Sequence, residues 1–246
     1  MPVSETLVIA ILFFAGAALY ASVGHAGASA YLAVMGLFEF APNVMKPTAL
    51  ALNILVATVA TLKFYRAGFF SWRLFWPFAM VSIPAAFLGG ATTLPARWYK
   101  VVVGIVLICA AVWMFRSSLK PLNIAAHPPP LWAAVAAGLV IGSLSGLTGV
   151  GGGIFLSPLL LYMGWAETRA TSGVAAPFIL VNSIAGLLGH FSSVAQLPPN
   201  IPIWGVAVLL GGWIGASYGS KRAPAPVLRQ LLALVLVVAS VKLIFF

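Results

Sequence analysis

AGLVIGSLSGLTGVGGGIFLSP, residues Ala137–Pro158, is apolar enough to enter a bilayer, yet its centre is the poorest helix former available. Four of the five residues Gly149–Gly153 are glycine. Each costs about 1 kcal/mol relative to alanine inside a helix, so the helix is expected to unwind there. In hydrocarbon an unwound backbone survives only where protein or a watery cavity satisfies its N–H and C=O groups. A helix broken at membrane depth, with amides facing a small ligand, is one way to build a transport site.

The rest of the composition fits a membrane setting. Of 246 residues, 62% are hydrophobic and only 7% charged, whereas soluble domains carry about 25% charged residues. The apolar runs are continuous over about 20 residues rather than alternating, which selects helices over a β-barrel. The net charge of +10 comes from 13 Lys+Arg against 3 Asp+Glu. These cations stand singly at span ends, where they anchor to headgroups, and no nucleic-acid partner is expected. There is no Asp, and Glu5, Glu39 and Glu167 all fall in loops or at span ends, which argues against an acid-lined cation path. Cys109 is alone and forms no intrachain disulfide. The N-terminal run is not read as a signal peptide, because its leading segment carries Glu5 and no Lys or Arg.

Apolar runs predict eight spans, near 6–23, 44–64, 72–92, 98–116, 131–149, 170–190, 201–219 and 227–246. Short apolar extensions, 27–38 and 153–164, follow the first and fifth spans after glycine breaks. The polar, proline-ended stretch 119–130 is the expected linker between a first unit, 1–118, and a second, 131–246. Val23-Gly24 matches Val150-Gly151, Lys46-Pro47-Thr48 matches Arg169-Ala170-Thr171, Phe87-Leu88-Gly89 matches Trp213-Ile214-Gly215, and Lys100 matches Arg229. The separations are 127, 123, 126 and 129 residues, in one order, as an internal duplication requires. The fold class is therefore an all-α polytopic membrane protein of about eight transmembrane helices, in two four-span repeats with glycine-broken first and fifth helices. Four crossings per unit, the favoured count, give parallel repeats; an extra crossing by each extension gives inverted ones. With eight spans the cations divide six against seven between the two faces, which leaves sidedness open.

Candidate binding residues gather at the breaks and just after them. Gly24 and Gly27 in the first break, and Gly151, Gly152 and Gly153 in the second, present half-helix N-termini whose partial positive charge suits an anion. The competing reading of glycines here is close helix packing, which suits Gly138, Gly142 and Gly146 at their four-residue spacing. His25 lies inside the first break; a lone histidine in apolar sequence can be a hydrogen-bonded structural residue, but an intramembrane titratable group is equally a functional candidate, here for proton coupling. His190 is expected at the interface and His127 in the linker. Thr48, Asn53, Thr171, Ser172 and Asn182 offer hydroxyls and amides to an oxyanion without fixing charge in lipid. Taken singly, Thr48 and Thr171 read more readily as helix caps, and Asn53 and Asn182 as interhelical bonds. Lys46 and Arg169 are read as headgroup anchors or as attractors at the pathway mouth. The residue set assembles neither a metal centre nor a carboxylate pair, so no enzyme, metal or cofactor is expected.

The small-residue helix of Gly138–Leu161, its Gly-Val-Gly-Gly-Gly break, Pro158-Leu159-Leu160, the Ala170-Thr171-Ser172 segment and the duplicated layout together resemble the TauE/SafE family of sulfite and organosulfur anion transporters. The first break departs from that family's glycine-rich pattern, reading Val-Gly-His-Ala-Gly. The resemblance implies transport of small sulfur-containing anions such as sulfite or sulfonates, in a prokaryotic cytoplasmic membrane. The expected function is a secondary transporter holding an oxyanion at the paired breaks near the bilayer centre, with protons as a candidate coupling ion. An anion channel and a non-transporting structural subunit are the alternatives.

Overall fold

The computed structural model describes residues 2–119, 127–191, 197–221 and 226–245. Most of the expected linker, 119–130, lies outside the described residues. Ten helices are described: α1 Val3–Ala21, α2 Ala28–Leu37, α3 Pro42–Arg66, α4 Trp72–Ala91, α5 Ala96–Leu119, α6 Leu131–Thr148, α7 Gly153–Tyr162, α8 Thr168–Gly189, α9 Ile201–Gly219 and α10 Pro226–Phe245. Seven are long and apolar enough to cross a membrane: α1, α3, α4, α6, α8, α9 and Ala96–Trp113 of α5. The eighth expected span, 227–246, falls on α10, which includes the shorter apolar stretch Leu236–Phe245.

α1 ends where Gly24 turns left-handed and the His25 and Gly24 amides bond back to the Tyr20 and Ala21 carbonyls, a Schellman closure. α6 ends at Gly149, whose φ is 85°, and Gly151 and Gly152 are also left-handed. Three such residues in four reverse the chain, which only glycine permits at low cost.

Both short helices therefore fold back on the long helix before them. The rings of Phe13 on α1 and Tyr31 on α2 stand 5.0 Å apart. The His127 amide, ahead of α6, bonds the carbonyl of Gly164, just past α7, at 2.8 Å. Each short helix has 10 residues, about 15 Å at 1.5 Å per residue, half the hydrocarbon thickness of about 30 Å.

Glycine stripes set the remaining directions. Gly138, Gly142 and Gly146 of α6 lie against the backbone of Phe78, Ser82 and Ala86, so α6 runs parallel to α4. Gly211, Gly215 and Gly219 of α9 lie likewise on Phe14, Ala18 and Ser22, so α9 runs parallel to α1. A methyl group at these positions overlaps the facing carbonyl, so the seams exist only because no Cβ is present. α3 and α8 cross the centre antiparallel, with Leu50 beside Gly186, and Phe69 (just past α3) on Gly173.

These directions correct the favoured parallel arrangement, because α3 and α8 are the segments the sequence matches as counterparts. The physical reason is the return path: α2 and α7 reverse the chain, which shifts every later helix by one crossing. One face of the protein then carries the N-terminal end of α1, the α2–α3 and α4–α5 turns and the C-terminal end of α10. The opposite face carries the turn 67–71, the end of α5, the start of α6, the turn 163–167, the end of α9 and the start of α10.

Candidate functional site

The antiparallel pair α3 and α8 carries the polar residues that meet the two breaks, and each helix serves the break of the other half. Asn53 of α3 is fully buried and donates through Nδ2 to the Val150 carbonyl at 3.2 Å and to Ser183 Oγ at 3.4 Å. Ser172 of α8 donates to the Val23 carbonyl at 2.9 Å and also to its own helix at Thr168. Both donors tie down break carbonyls, the negative ends of the unwound peptides. The first amides of α7 point the other way, and no side chain caps them.

The glycines of the breaks are close-packed. A Cβ on Gly24 would stand 2.6 Å from the Ser172 backbone, and one on Gly151 would stand 2.6 Å from Asn53 Nδ2. A Cβ on Gly27 would meet the Tyr31 hydroxyl at 2.7 Å, where that hydroxyl donates to the Ala26 carbonyl. Gly152 faces Phe178, Ile141 and Ser145, and Gly153 faces Ile179 and His25.

His25 links the two breaks. Its ring is buried, with Nε2 at 3.1 Å from the Gly153 carbonyl and 3.0 Å from Ser157 Oγ. A carbonyl can only accept, so in this arrangement Nε2 carries a proton shared between the two oxygens. The Trp113 ring lies 5.8 Å away. The breaks do not share one depth. Gly24 lies beside Ser172, whereas Gly151–Gly153 lie beside Phe178, Ile179 and Ser183, six to eleven residues further along α8. That is roughly 9–16 Å at the helical rise, and His25 spans part of it.

Several buried polar atoms around this centre have no hydrogen-bond partner: Thr48 Oγ1, Asn53 Oδ1, Ser145 Oγ, Thr171 Oγ1 and Asn182 Oδ1. Native interiors leave few such groups, and each calls for a reason such as a ligand or water. Thr48 and Thr171 are not helix caps, since α3 and α8 begin at Ala41 and Glu167 without side-chain capping bonds. Asn182 donates within its own helix to Phe178 at 2.8 Å.

Two basic residues differ from expectation. Lys46 is neither anchor nor mouth residue; it is buried and donates to the carbonyls of Gly89, Gly90 and Thr92 at 3.3, 2.8 and 3.1 Å. It closes the C-terminus of α4, where the helix dipole favours a cation. His190 is likewise buried rather than interfacial. Arg169, by contrast, stays exposed and stacks its guanidinium over Phe69 at 5.2 Å. Sequence reasoning also passed over Ser145, Ser157 and Ser183. Ser145 lies four residues before Gly149, a spacing that puts it on the helix face leading into the break.

Seven apolar helices of membrane-crossing length define a multi-pass membrane protein, and the family it matches is one of membrane transporters rather than enzymes. The chain belongs to the TauE/SafE family: the family profile described as "Sulfite exporter TauE/SafE" matches residues 8–243. Among its relatives is the "Probable membrane transporter protein y4hK" of Sinorhizobium fredii (strain NBRC 101917 / NGR234), 43% identical over 245 residues, spanning 98% of this chain and 99% of the relative. No solved structure matches the chain.

Proposed function

We propose that the protein is a secondary transporter of small sulfur-containing oxyanions, sulfite or sulfonates, in a prokaryotic cytoplasmic membrane. The units 1–118 and 131–246 are inverted repeats, α1–α5 and α6–α10, related by an axis in the membrane plane. Support comes from the pairing of counterparts: α1 on α9 mirrors α6 on α4, and α3 meets α8 in antiparallel fashion. The oxyanion sits between the breaks, received by the amides at Gly151, Gly152 and Gly153 and by the side chains of Thr48, Thr171 and Asn182, while Asn53 and Ser172 hold the break carbonyls and Gly24 and Gly27 form the turn of the first break.

The observation that carries this reading is the neutralised carbonyl at each break. At the second break, with Asn53 donating to Val150 and no side chain capping the first amides of α7, what is left to offer is N–H, which suits an anion over a cation. Protein-bound proteoliposomes loaded with unlabelled sulfite and given labelled sulfite outside test it. A carrier shows saturable uptake and counterflow. Linear, unsaturable flux means a channel, and absence of flux for every oxyanion tried means a structural subunit.

His25 is the proposed proton-coupling group, because it is a buried titratable ring whose bonds to Gly153 and Ser157 join the halves. Lys46 and His190 are buried as well, so burial alone does not single it out. Transport by His25→Gln that keeps the full pH dependence removes the coupling role.

A further inference from the structure

The charged side chains are distributed unequally over the two faces that the folded-back helices create. Lys63, Arg66 and Arg73 flank the turn 67–71, Arg116 ends α5 and Arg169 opens α8. Lys221 follows α9 and Arg229 lies in the first turn of α10. These seven share one face. Only four cations belong to the other face: Lys46, Arg97, Lys100 and Lys242. Lys120 and Arg222 lie outside the described residues.

The availability of these charges widens the difference. Arg66, Arg73, Arg116, Arg169 and Lys221 are all exposed. On the opposite face Lys46 is buried on the α4 carbonyls. Lys242 donates to the Leu37 carbonyl at 2.7 Å and pairs with Glu39 at 3.1 Å. Arg97 is the one exposed cation there among the described residues. Two of the three acids, Glu5 and Glu39, lie on that face as well.

We infer that the face formed by the turn 67–71, the end of α5, the start of α8, the end of α9 and the start of α10 is the cytoplasmic face, seated on the anionic headgroups of the inner leaflet. Short loops rich in Lys and Arg stay on the cytoplasmic side, and the negative surface potential of that leaflet holds them. Both chain ends then lie outside. The break at Gly24–His25 is the one nearer the cytoplasm and the break at Gly149–Gly153 the one nearer the exterior. An anion leaving the cytoplasm meets the cationic face first and then the His25 side of the site; this last consequence alone rests on the proposed anion transport. The orientation itself needs only the membrane-spanning fold, so a failed flux assay leaves it standing.

The test uses the full chain with Cys109→Ser as background and single cysteines at two exposed turn positions, Ala67→Cys and Thr93→Cys. In intact cells a membrane-impermeant maleimide is expected to label Thr93→Cys severalfold more than Ala67→Cys, with the difference lost on permeabilisation. The reverse pattern, or equal labelling in intact cells, overturns the orientation. Alkaline phosphatase fused after Phe246 reads the same question without altering a turn: activity supports it, and inactivity of an expressed fusion overturns it.

Discussion

Gly151→Ala puts the construction of the second break under the most direct strain. The residue has φ 83°, and an alanine held in the left-handed region costs about 1–2 kcal/mol. Its Cβ would stand 2.6 Å from Asn53 Nδ2, 2.8 Å from the Ile179 side chain and 2.9 Å from Ser183 Oγ. Overpacking of this kind costs about 1–3 kcal/mol, and displacing Asn53 from the Val150 carbonyl forfeits a buried bond of about 1 kcal/mol. The expected total is about 3–6 kcal/mol. Gly68→Ala separates the causes, since Gly68 has φ 78° but nothing within 4 Å of a built Cβ; it is expected to lose only the conformational part, about 1–2 kcal/mol. Thermal unfolding of both variants in the same detergent, alongside sulfite flux in proteoliposomes, reads the difference. If Gly151→Ala melts no lower than Gly68→Ala and transports as the parent does, the packing of this break against α3 and α8 does not matter as argued.

Other perturbations separate structural from functional roles. Asn53→Leu leaves the Val150 carbonyl and Ser183 hydroxyl without their donor, so a loss of about 1–3 kcal/mol is expected together with collapse of flux; unchanged sulfite flux in folded protein contradicts the site. Ser172→Ala removes one neutral bond to Val23, worth about 1 kcal/mol, and is expected to weaken sulfite uptake with little change in melting temperature. Lys46→Met uncovers three α4 carbonyls and is expected to lower melting by the equivalent of about 1–3 kcal/mol; a KM for sulfite that rises while stability holds would falsify the capping role. Gly142→Leu drives a side chain into Ser82 and is expected to abolish folded protein on size-exclusion chromatography, whereas Gly68→Leu is expected to leave a folded peak.

Membrane class and the places where helices break follow from sequence alone, because both are local. Twenty apolar residues span a bilayer whatever surrounds them, and the dense glycines of 149–153 cannot hold a helix against their own conformational freedom. The helix boundaries at Ala21, Thr148 and Gly153 stand close to where composition places them. The spacing of Gly138, Gly142 and Gly146 likewise announces a close seam, though not that α4 fills it.

Tertiary structure alone decided the direction taken after each break. A helix of 10 residues is half a membrane long, and hydropathy is the same whether it continues outward or doubles back. The doubling back is settled by three left-handed glycines acting together and by contacts such as His127 to Gly164. It sets α3 and α8 antiparallel and gathers most of the described cations on one face. Pairings across 97 and 149 residues, Asn53 with Val150 and Ser172 with Val23, are equally out of reach of local pattern. So is the conversion of Lys46 from an interfacial charge into the cap of a neighbouring helix, because a side chain's partner is fixed by packing in space rather than by its place along the chain.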